Sequence, residues 1–116
     1  MDEIAKIIEI ALQDLNLDVS RLWNPNPTTD PYIVYSQVAK SPNLFTDNVE
    51  RSRNFFIDVD IYTTNPSLID ITSTEVEERL KKAGFSLKPS AGTIIENDSE
   101  PVWLHEPLEF EYEKEM

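Results

Sequence analysis

The chain has 116 residues, no cysteine and a formal net charge of −12, from 22 acidic and 10 basic side chains. This length predicts a single domain over residues 1–116, large enough to bury a core without crosslinks. The lack of cysteine excludes disulfides and thiolate metal sites. The excess of acidic groups disfavours binding to nucleic acids and to anionic membranes, because like charges repel.

The first residues, Met1-Asp2-Glu3, are acidic and lack the basic segment and apolar run of a signal peptide. No apolar stretch approaches the roughly 20 residues needed to cross a bilayer. We therefore expect a soluble, intracellular protein with no membrane partner.

The first half of the chain predicts a helix, a stiff connector and a strand. Over residues 3–15, apolar side chains recur at helical spacing, and Ile10 alone lies off their stripe. Three prolines, Pro25, Pro27 and Pro31, predict an extended connector that begins at Trp23. Aromatic and β-branched residues then predict a first strand over residues 32–38. The apolar stripe of the predicted helix consists of Ile4, Ile7, Ile8, Ala11, Leu12 and Leu15.

A polar segment, residues 39–53, separates this strand from the next one. Connections of this length are unusual in a hairpin and are often functional. Leu44 and Phe45 give the segment an apolar centre. We expect a loop that docks on a neighbouring chain; the simpler alternative is a surface loop without such a role.

The central strand is predicted over residues 54–62, where side chains alternate with a period of two. Asp58 and Asp60 share one side, and two unpaired carboxylates are too costly to bury. The opposite, apolar side should therefore face the core and fix the register of the strand. That apolar side consists of Phe55, Ile57, Val59 and Ile61.

The second half predicts one helix and two further strands. Asn65 and Pro66 suit the start of a helix that ends near Ala83, with Gly84 as its stop. A third strand is expected over residues 85–88, resuming at 93–96 after a kink. A turn at residues 97–100 then leads to the last strand, residues 102–113, where Pro107 indicates a sheet edge or a bulge.

The resulting order, α-β-β-α-β-β, predicts an α+β fold. We expect a mostly antiparallel four-stranded sheet with two helices packed on one face.

Candidate catalytic groups are weak. Asp58 and Asp60 share a strand face that Glu109 or Glu111 could join, and clustered carboxylates can bind Ca²⁺ or act as an acid–base pair. However, no calcium-loop spacing is present, and alternating acids are typical of a solvated strand face. His105, the single histidine, precedes Glu106, but strand neighbours point to opposite faces.

Other signatures of chemistry are also missing. There is no Gly-x-Ser-x-Gly turn, and two glycines, Gly84 and Gly92, are too few for a phosphate-binding loop. Trp23 and Trp103 suit packing or interface roles. We therefore expect a protein that is not an enzyme, with no catalytic residue, cofactor or metal.

Several short motifs occur in an order that resembles a known family. Pro31-Tyr32-Ile33-Val34-Tyr35 follows the helix and connector; Arg53-x-x-Phe56-Ile57-Asp58-Val59-Asp60-Ile61-Tyr62 follows the polar segment. Ala83-Gly84-Phe85, Trp103-Leu104-His105 and Leu108-Glu109-Phe110-Glu111-Tyr112 come later. In this order, over almost the whole chain, they resemble the tail-completion (tail terminator, head–tail joining) proteins of long-tailed bacteriophages and prophages.

The resemblance implies a structural virion component, an α+β subunit that assembles into a ring, usually of six copies. Such a ring caps the tail tube and meets the head-completion or connector protein, in the virion after assembly in the host cytoplasm. DNA passes through it without specific binding.

The resemblance also implies roles for two sets of residues. The subunit-docking loop would contain Leu44, Phe45, Asp47, Asn48, Arg51 and Arg53. An acidic lumen, which would let DNA pass without sticking, would be lined by Asp58, Asp60, Glu109 and Glu111. A different class stays open: an acidic adaptor or inhibitor that imitates nucleic acid and binds a basic host protein.

Overall fold

A computed structural model describes residues 2–46, 49–89, 92–96 and 101–115. Within these ranges the chain forms two α-helices, one 3-10 helix and six strands. The helices are α1 (Asp2–Leu12), the 3-10 helix (Gln13–Leu15) and α2 (Pro66–Lys82). The strands are β1 (Asp18–Arg21), β2 (Tyr32–Thr46), β3 (Val49–Thr63), β4 (Ser86–Lys88), β5 (Ile94–Glu96) and β6 (Trp103–Glu115).

The described strands form one mixed sheet in the order β1-β2-β3-β6-β4, with β5 also paired to β6. The α+β class predicted from the sequence is confirmed, but the sheet has six strands instead of four. One addition is β1, which lies parallel to β2. The other arises because the predicted third strand is two short strands, β4 and β5, which pair with successive parts of β6.

The predicted register of the central strand is confirmed. In β3, Ile57, Val59 and Ile61 are fully buried. Phe110 of β6 lies opposite Ile57, and Ile33 of β2 lies opposite Ile61. The inner faces of three long strands therefore supply the floor of one hydrophobic core.

Helix α1 covers part of this floor with its predicted apolar stripe. Ile4, Ile8 and Leu12 are buried in the core, whereas Ile10 is exposed. The Tyr35 hydroxyl donates a hydrogen bond of 2.6 Å to Glu9 Oε2, which ties α1 to β2. Burial, reinforced by the Glu9 carboxylate, raises the pKa of Tyr35, so this hydroxyl stays a donor at neutral pH.

Helix α2 begins and ends as the sequence predicts. Asn65 Oδ1 accepts a 3.0 Å hydrogen bond from the Ser67 amide, and Pro66 occupies the first turn. Gly84 follows the helix with φ of +104°, where a Cβ atom would also lie 3.3 Å from the Tyr112 ring. The inner stripe of helix α2 is buried against the sheet and consists of Ile69, Thr72, Ser73, Val76 and Leu80.

Two aspartates organise the proline-rich connector between β1 and β2. Asp18 accepts hydrogen bonds from the Thr28 amide (2.5 Å) and hydroxyl (2.8 Å). Asp30 accepts from the Thr63 hydroxyl (2.6 Å) and from Thr64. Although burial opposes its ionisation, these bonds lower the pKa of Asp30. They fix the connector so that β1 and β2 run side by side.

The predicted loop over residues 39–53 is instead part of a β-hairpin. Strands β2 and β3 each contain 15 residues, about 50 Å of extended chain. Helix α2 contains 17 residues, only about 26 Å. Glu3, at the start of α1, bonds to Lys114 of β6, which lies opposite Arg53. The strands therefore run past the helix layer only beyond about this point, and the molecule measures 56 × 26 × 24 Å. We call this extension the arm (residues 41–46 and 49–54).

Pro107 lies where a missing amide is tolerated. On one side it is opposite Asp60 of β3. On the other side, β4 pairs with residues 109–111 and β5 with residues 103–105, so the outer edge of β6 faces neither of these strands at Pro107. This gap agrees with the edge position that the sequence predicted.

Candidate functional site

The sheet surface opposite the helices is the candidate functional site, and we call it the open face. It is formed by alternate residues of β2, β3 and β6, because side chains of one strand point to opposite faces. No helix of the described chain packs on it. Its members are Tyr32, Val34, Phe56, Asp58, Asp60, Tyr62, Trp103, His105, Pro107, Glu109 and Glu111, all half-buried.

Two acids face each other directly at the centre of the open face. Asp58 of β3 lies opposite Glu109 of β6, and Asp60 follows on the same strand face. Burial, and then the charges of Asp60 and Glu109, raises the pKa of Asp58. Within the described residues, neither Asp58 nor Glu109 has a hydrogen bond or ion pair. Lys88, opposite Glu109 on β4, bonds to Glu111 instead, so no described side chain forms an ion pair with either acid of this pair.

The other two predicted lumen acids are held by neighbours. Glu111 accepts hydrogen bonds from Lys88 Nζ (3.2 Å) and from Asn54 Nδ2 (2.7 Å). Asp60 Oδ1 lies 2.9 Å from His105 Nε2. The structure thus brings Asp58, Asp60, Glu109 and Glu111 onto one face, as the sequence predicted, but it separates them into a free pair and two bonded acids.

An aromatic cluster borders these acids. Tyr62 stacks on Tyr32, with ring centroids 5.0 Å apart, and on His105 at 4.4 Å. Trp103 meets the Tyr32 ring edge-on at 5.4 Å. Burial, together with the nearby Asp60 charge, raises the pKa of Tyr62 to about 12. Trp103 has the packing role that the sequence predicted, and the stacked rings cover this end of the open face.

His105 links the aromatic cluster to the acids. Its Nδ1 lies 3.4 Å from Glu96 Oε1, and its side chain is only 16% exposed. The hydrogen bond to Asp60 raises the pKa of His105, and the charges of Asp60 and Glu96 add to this effect against the cost of burial. Sequence reasoning missed this link because it depends on which residues of β3, β5 and β6 lie side by side. The only signal was that Asp58, Asp60 and Tyr62 alternate with aliphatic residues and so share one strand face.

The predicted docking residues divide into two groups. Leu44, Phe45, Arg51 and Arg53 belong to the paired strands of the arm. Asp47 and Asn48 lie outside the described residues. The segment is therefore strand where the sequence predicted a loop, but its pairing is irregular, with a register shift on each side of Leu44 and a register that passes over Arg51.

The described residues contain no three acidic or histidine side chains arranged to hold a metal ion. None of their helices has the length and apolar character needed to cross a membrane. No family model matches the sequence, and no curated protein is similar to it.

Proposed function

We propose that this chain is a structural subunit of a long-tailed phage particle. Copies of it would form a ring that caps the tail tube and helps to join the tail to the head. The observation that carries this proposal is the arm. Strand β6 accompanies β3 only from Ser52 onward, whereas β2 and β3 pair with each other as far as Thr46 and Val49. The outermost part of the arm, residues 44–46 and 49–51, is therefore a two-stranded ribbon, which has little stability of its own. Packing against a neighbouring chain would stabilise it.

The arm is suited to docking by side-chain packing. The outer edge of β2 beyond Tyr35 is not covered by β1, which pairs only with Tyr32–Tyr35. This edge carries Lys40, Pro42 and three register shifts, which are the features that prevent strand addition. Because this edge is protected, docking through side chains such as Leu44 and Phe45 is favoured over the pairing of a neighbouring chain's strand with β2.

The free acidic pair supports a place at the lumen of such a ring. Asp58 and Glu109 have no cationic partner within the described chain, and the whole chain carries a charge of −12. An acidic surface repels phosphates and displaces no counterions from DNA, so a duplex would pass over it without being retained.

Capping of isolated tail tubes tests the proposed function. Purified protein is mixed with tubes that lack their cap, and tube ends are imaged by electron microscopy. We expect wild-type protein to form terminal rings and the arm variant Leu44→Ser/Phe45→Ser to remain folded but leave ends bare. The matched control is Ile94→Ser/Ile95→Ser, which removes two exposed isoleucines from β5. Equal capping by the arm variant would count against docking through the arm.

A separate variant pair tests the lumen position. Asp58→Lys/Glu109→Lys keeps two like charges face to face but makes them attract DNA, whereas Asp58→Asn/Glu109→Gln removes charge. We expect both to assemble, and only the lysine variant to slow DNA ejection. Normal ejection by the lysine variant argues against a lumen.

The second candidate is an acidic adaptor or inhibitor of a basic protein, and one observation favours it. The opposed Asp58 and Glu109 carboxylates would be neutralised by the lysines or arginines of a partner. Such a protein should stay monomeric and bind its partner one to one. A ring subunit should bind its own copies, and sedimentation of the purified chain with and without tail tubes separates the two.

A further inference from the structure

A strained turn at the end of β1 presents two apolar side chains to solvent. Leu22 has φ of +70°, a conformation that branched residues rarely adopt. The Trp23 amide donates to Arg21 O (2.9 Å) and the Leu22 amide to Tyr35 O (2.8 Å), which together close the turn. Leu22 is 69% exposed and Trp23 is 74% exposed. We call these two residues the knob.

The knob contributes little to the fold of its own chain. Neither side chain belongs to the core or to the residues packed against it. Retained backbone strain is often associated with function, and a tryptophan in the open is a typical anchor of protein interfaces. The knob is therefore better explained by a contact outside the chain.

The same chain also contains a cleft between the C-terminal ends of α1 and α2. Its volume is about 1040 Å³. Ile10, which is 62% exposed, lines it together with Ala11 and Ala83. Arg79, Lys81 and Lys82 also line it, beside Asp14 and Glu78. Arg79 is ion-paired to Asp14 (2.8 Å) and Lys81 to Glu77 (3.1 Å). An apolar surface edged by cations suits an indole ring, because cations are attracted to the faces of aromatic rings.

We propose that Leu22 and Trp23 of one copy insert into the helix cleft of a second copy. This inference depends on the proposed self-association. Charge favours a second copy as the occupant. Two copies at −12 repel each other, whereas the cleft lining has three basic side chains against two acidic ones, so contact there meets less repulsion than the strongly acidic chain does on average.

The placement of the two surfaces determines the kind of assembly. The cleft reaches Asp14, just before β1, whereas the knob follows the other end of that strand. A contact between two different surfaces is heterologous, and repetition of such a contact generates a ring when the rotation closes. The knob and cleft thus supply the head-to-tail contact that a ring requires.

Because the chain has no cysteine, crosslinking can test this contact cleanly. A Pro25→Cys chain, with the label beside the intact knob, is mixed with a Gln13→Cys chain, with the label at the cleft. A short bis-maleimide reagent then traps neighbours. We expect roughly tenfold more crosslinked dimer than for Pro25→Cys mixed with Ile71→Cys, an exposed α2 position outside the cleft.

Second-site variants identify the side chains responsible. Adding Trp23→Ser to the Pro25→Cys chain, or Ile10→Asp to the Gln13→Cys chain, should remove that roughly tenfold excess. Adding Ile95→Ser to either cysteine chain removes an exposed apolar side chain elsewhere and should leave the crosslinking excess unchanged. Leu22→Gly relieves the positive φ, so this variant should keep or raise its Tm while losing crosslinks. A fall in Tm with crosslinking intact would show a structural role only.

The remaining outcomes separate this inference from the proposed function. Self-association without preference for the Gln13→Cys partner overturns the knob-and-cleft contact and leaves ring assembly standing. Dominant crosslinking between two Pro25→Cys chains overturns it in favour of a symmetric contact. If Trp23→Ser leaves self-association intact but abolishes tail-tube binding, the occupant of the contact is the tube protein. A chain that stays monomeric on tail tubes contradicts both proposals.

Discussion

At the scale of residues, the opposed acids of the open face make a measurable difference to stability. Asp58 has a pKa raised by burial, Asp60 and Glu109, so its ionised form is less favourable folded than unfolded. Asp58→Asn should therefore stabilise the protein at pH 7 by about 0.5–1 kcal/mol. Urea denaturation measures this, with the exposed Asp70→Asn as a control of equal charge change.

The gain in stability from Asp58→Asn should depend on pH. A carboxyl whose folded pKa is raised costs nothing below its unfolded pKa, near 3.9, and its full cost is present above its folded pKa. The advantage of Asp58→Asn should therefore shrink as the pH falls toward 4. A constant advantage would show that repulsion is not its cause.

His105 is predicted to stabilise the fold most strongly in mild acid. The hydrogen bond to Asp60 raises its pKa, so its contribution is complete below the unfolded value, about 6.5, and is lost as the pH rises through the folded value. His105→Gln should thus cost about 1 kcal/mol more at pH 5.5 than at pH 8. Urea denaturation at both pH values measures this; equal costs would rule out the ion pair.

At the scale of elements, the arm needs protection against strand addition. Lys40 and Pro42 lie on the β2 edge that β1 leaves uncovered, and both residue types discourage pairing between edges. Lys40→Thr/Pro42→Thr should therefore aggregate with increased β-structure, whereas Lys6→Thr/Lys82→Thr, on the helices, should not. Light scattering and thioflavin fluorescence follow this, and a soluble double variant would mean that the edge is covered in another way.

The elements also show how far the sequence could predict the fold. Alternation along residues 54–62 determined the register of β3, and Asn65 with Gly84 determined the limits of α2. Strand β1 was missed because four residues, Asp18–Arg21, carry no pattern and pair only when the connector returns β2 alongside. The arm was missed because its polar sequence with Pro42 is typical of a loop, although backbone pairing does not depend on side-chain polarity.

The candidate site could be predicted only in part from the sequence. Strand periodicity was enough to place Asp58 and Asp60 on one face. The partners of each acid were not predictable, because they depend on the register between strands. Only that register reveals that Glu109 faces Asp58 while His105 meets Asp60 and Lys88 meets Glu111.

At the scale of the whole molecule, net charge distinguishes the two candidate functions. Copies that each carry −12 repel one another, and salt screens this repulsion. Self-association should therefore strengthen between about 0.05 and 0.5 M salt, over which screening lengths fall several-fold. Binding to a basic partner should weaken over the same range. Sedimentation velocity at both concentrations shows which response the protein gives.

Electron microscopy of phage particles made without this protein is the decisive measurement for the proposed function. Under the proposed function the gene belongs to a phage or prophage. It is deleted there, and the released particles are imaged alongside a strain complemented with the wild-type gene. The ring proposal predicts overlong tails, or full heads beside unattached tails, with complementation restoring joined particles of normal tail length. Normal, infectious particles from the deletion strain would contradict it.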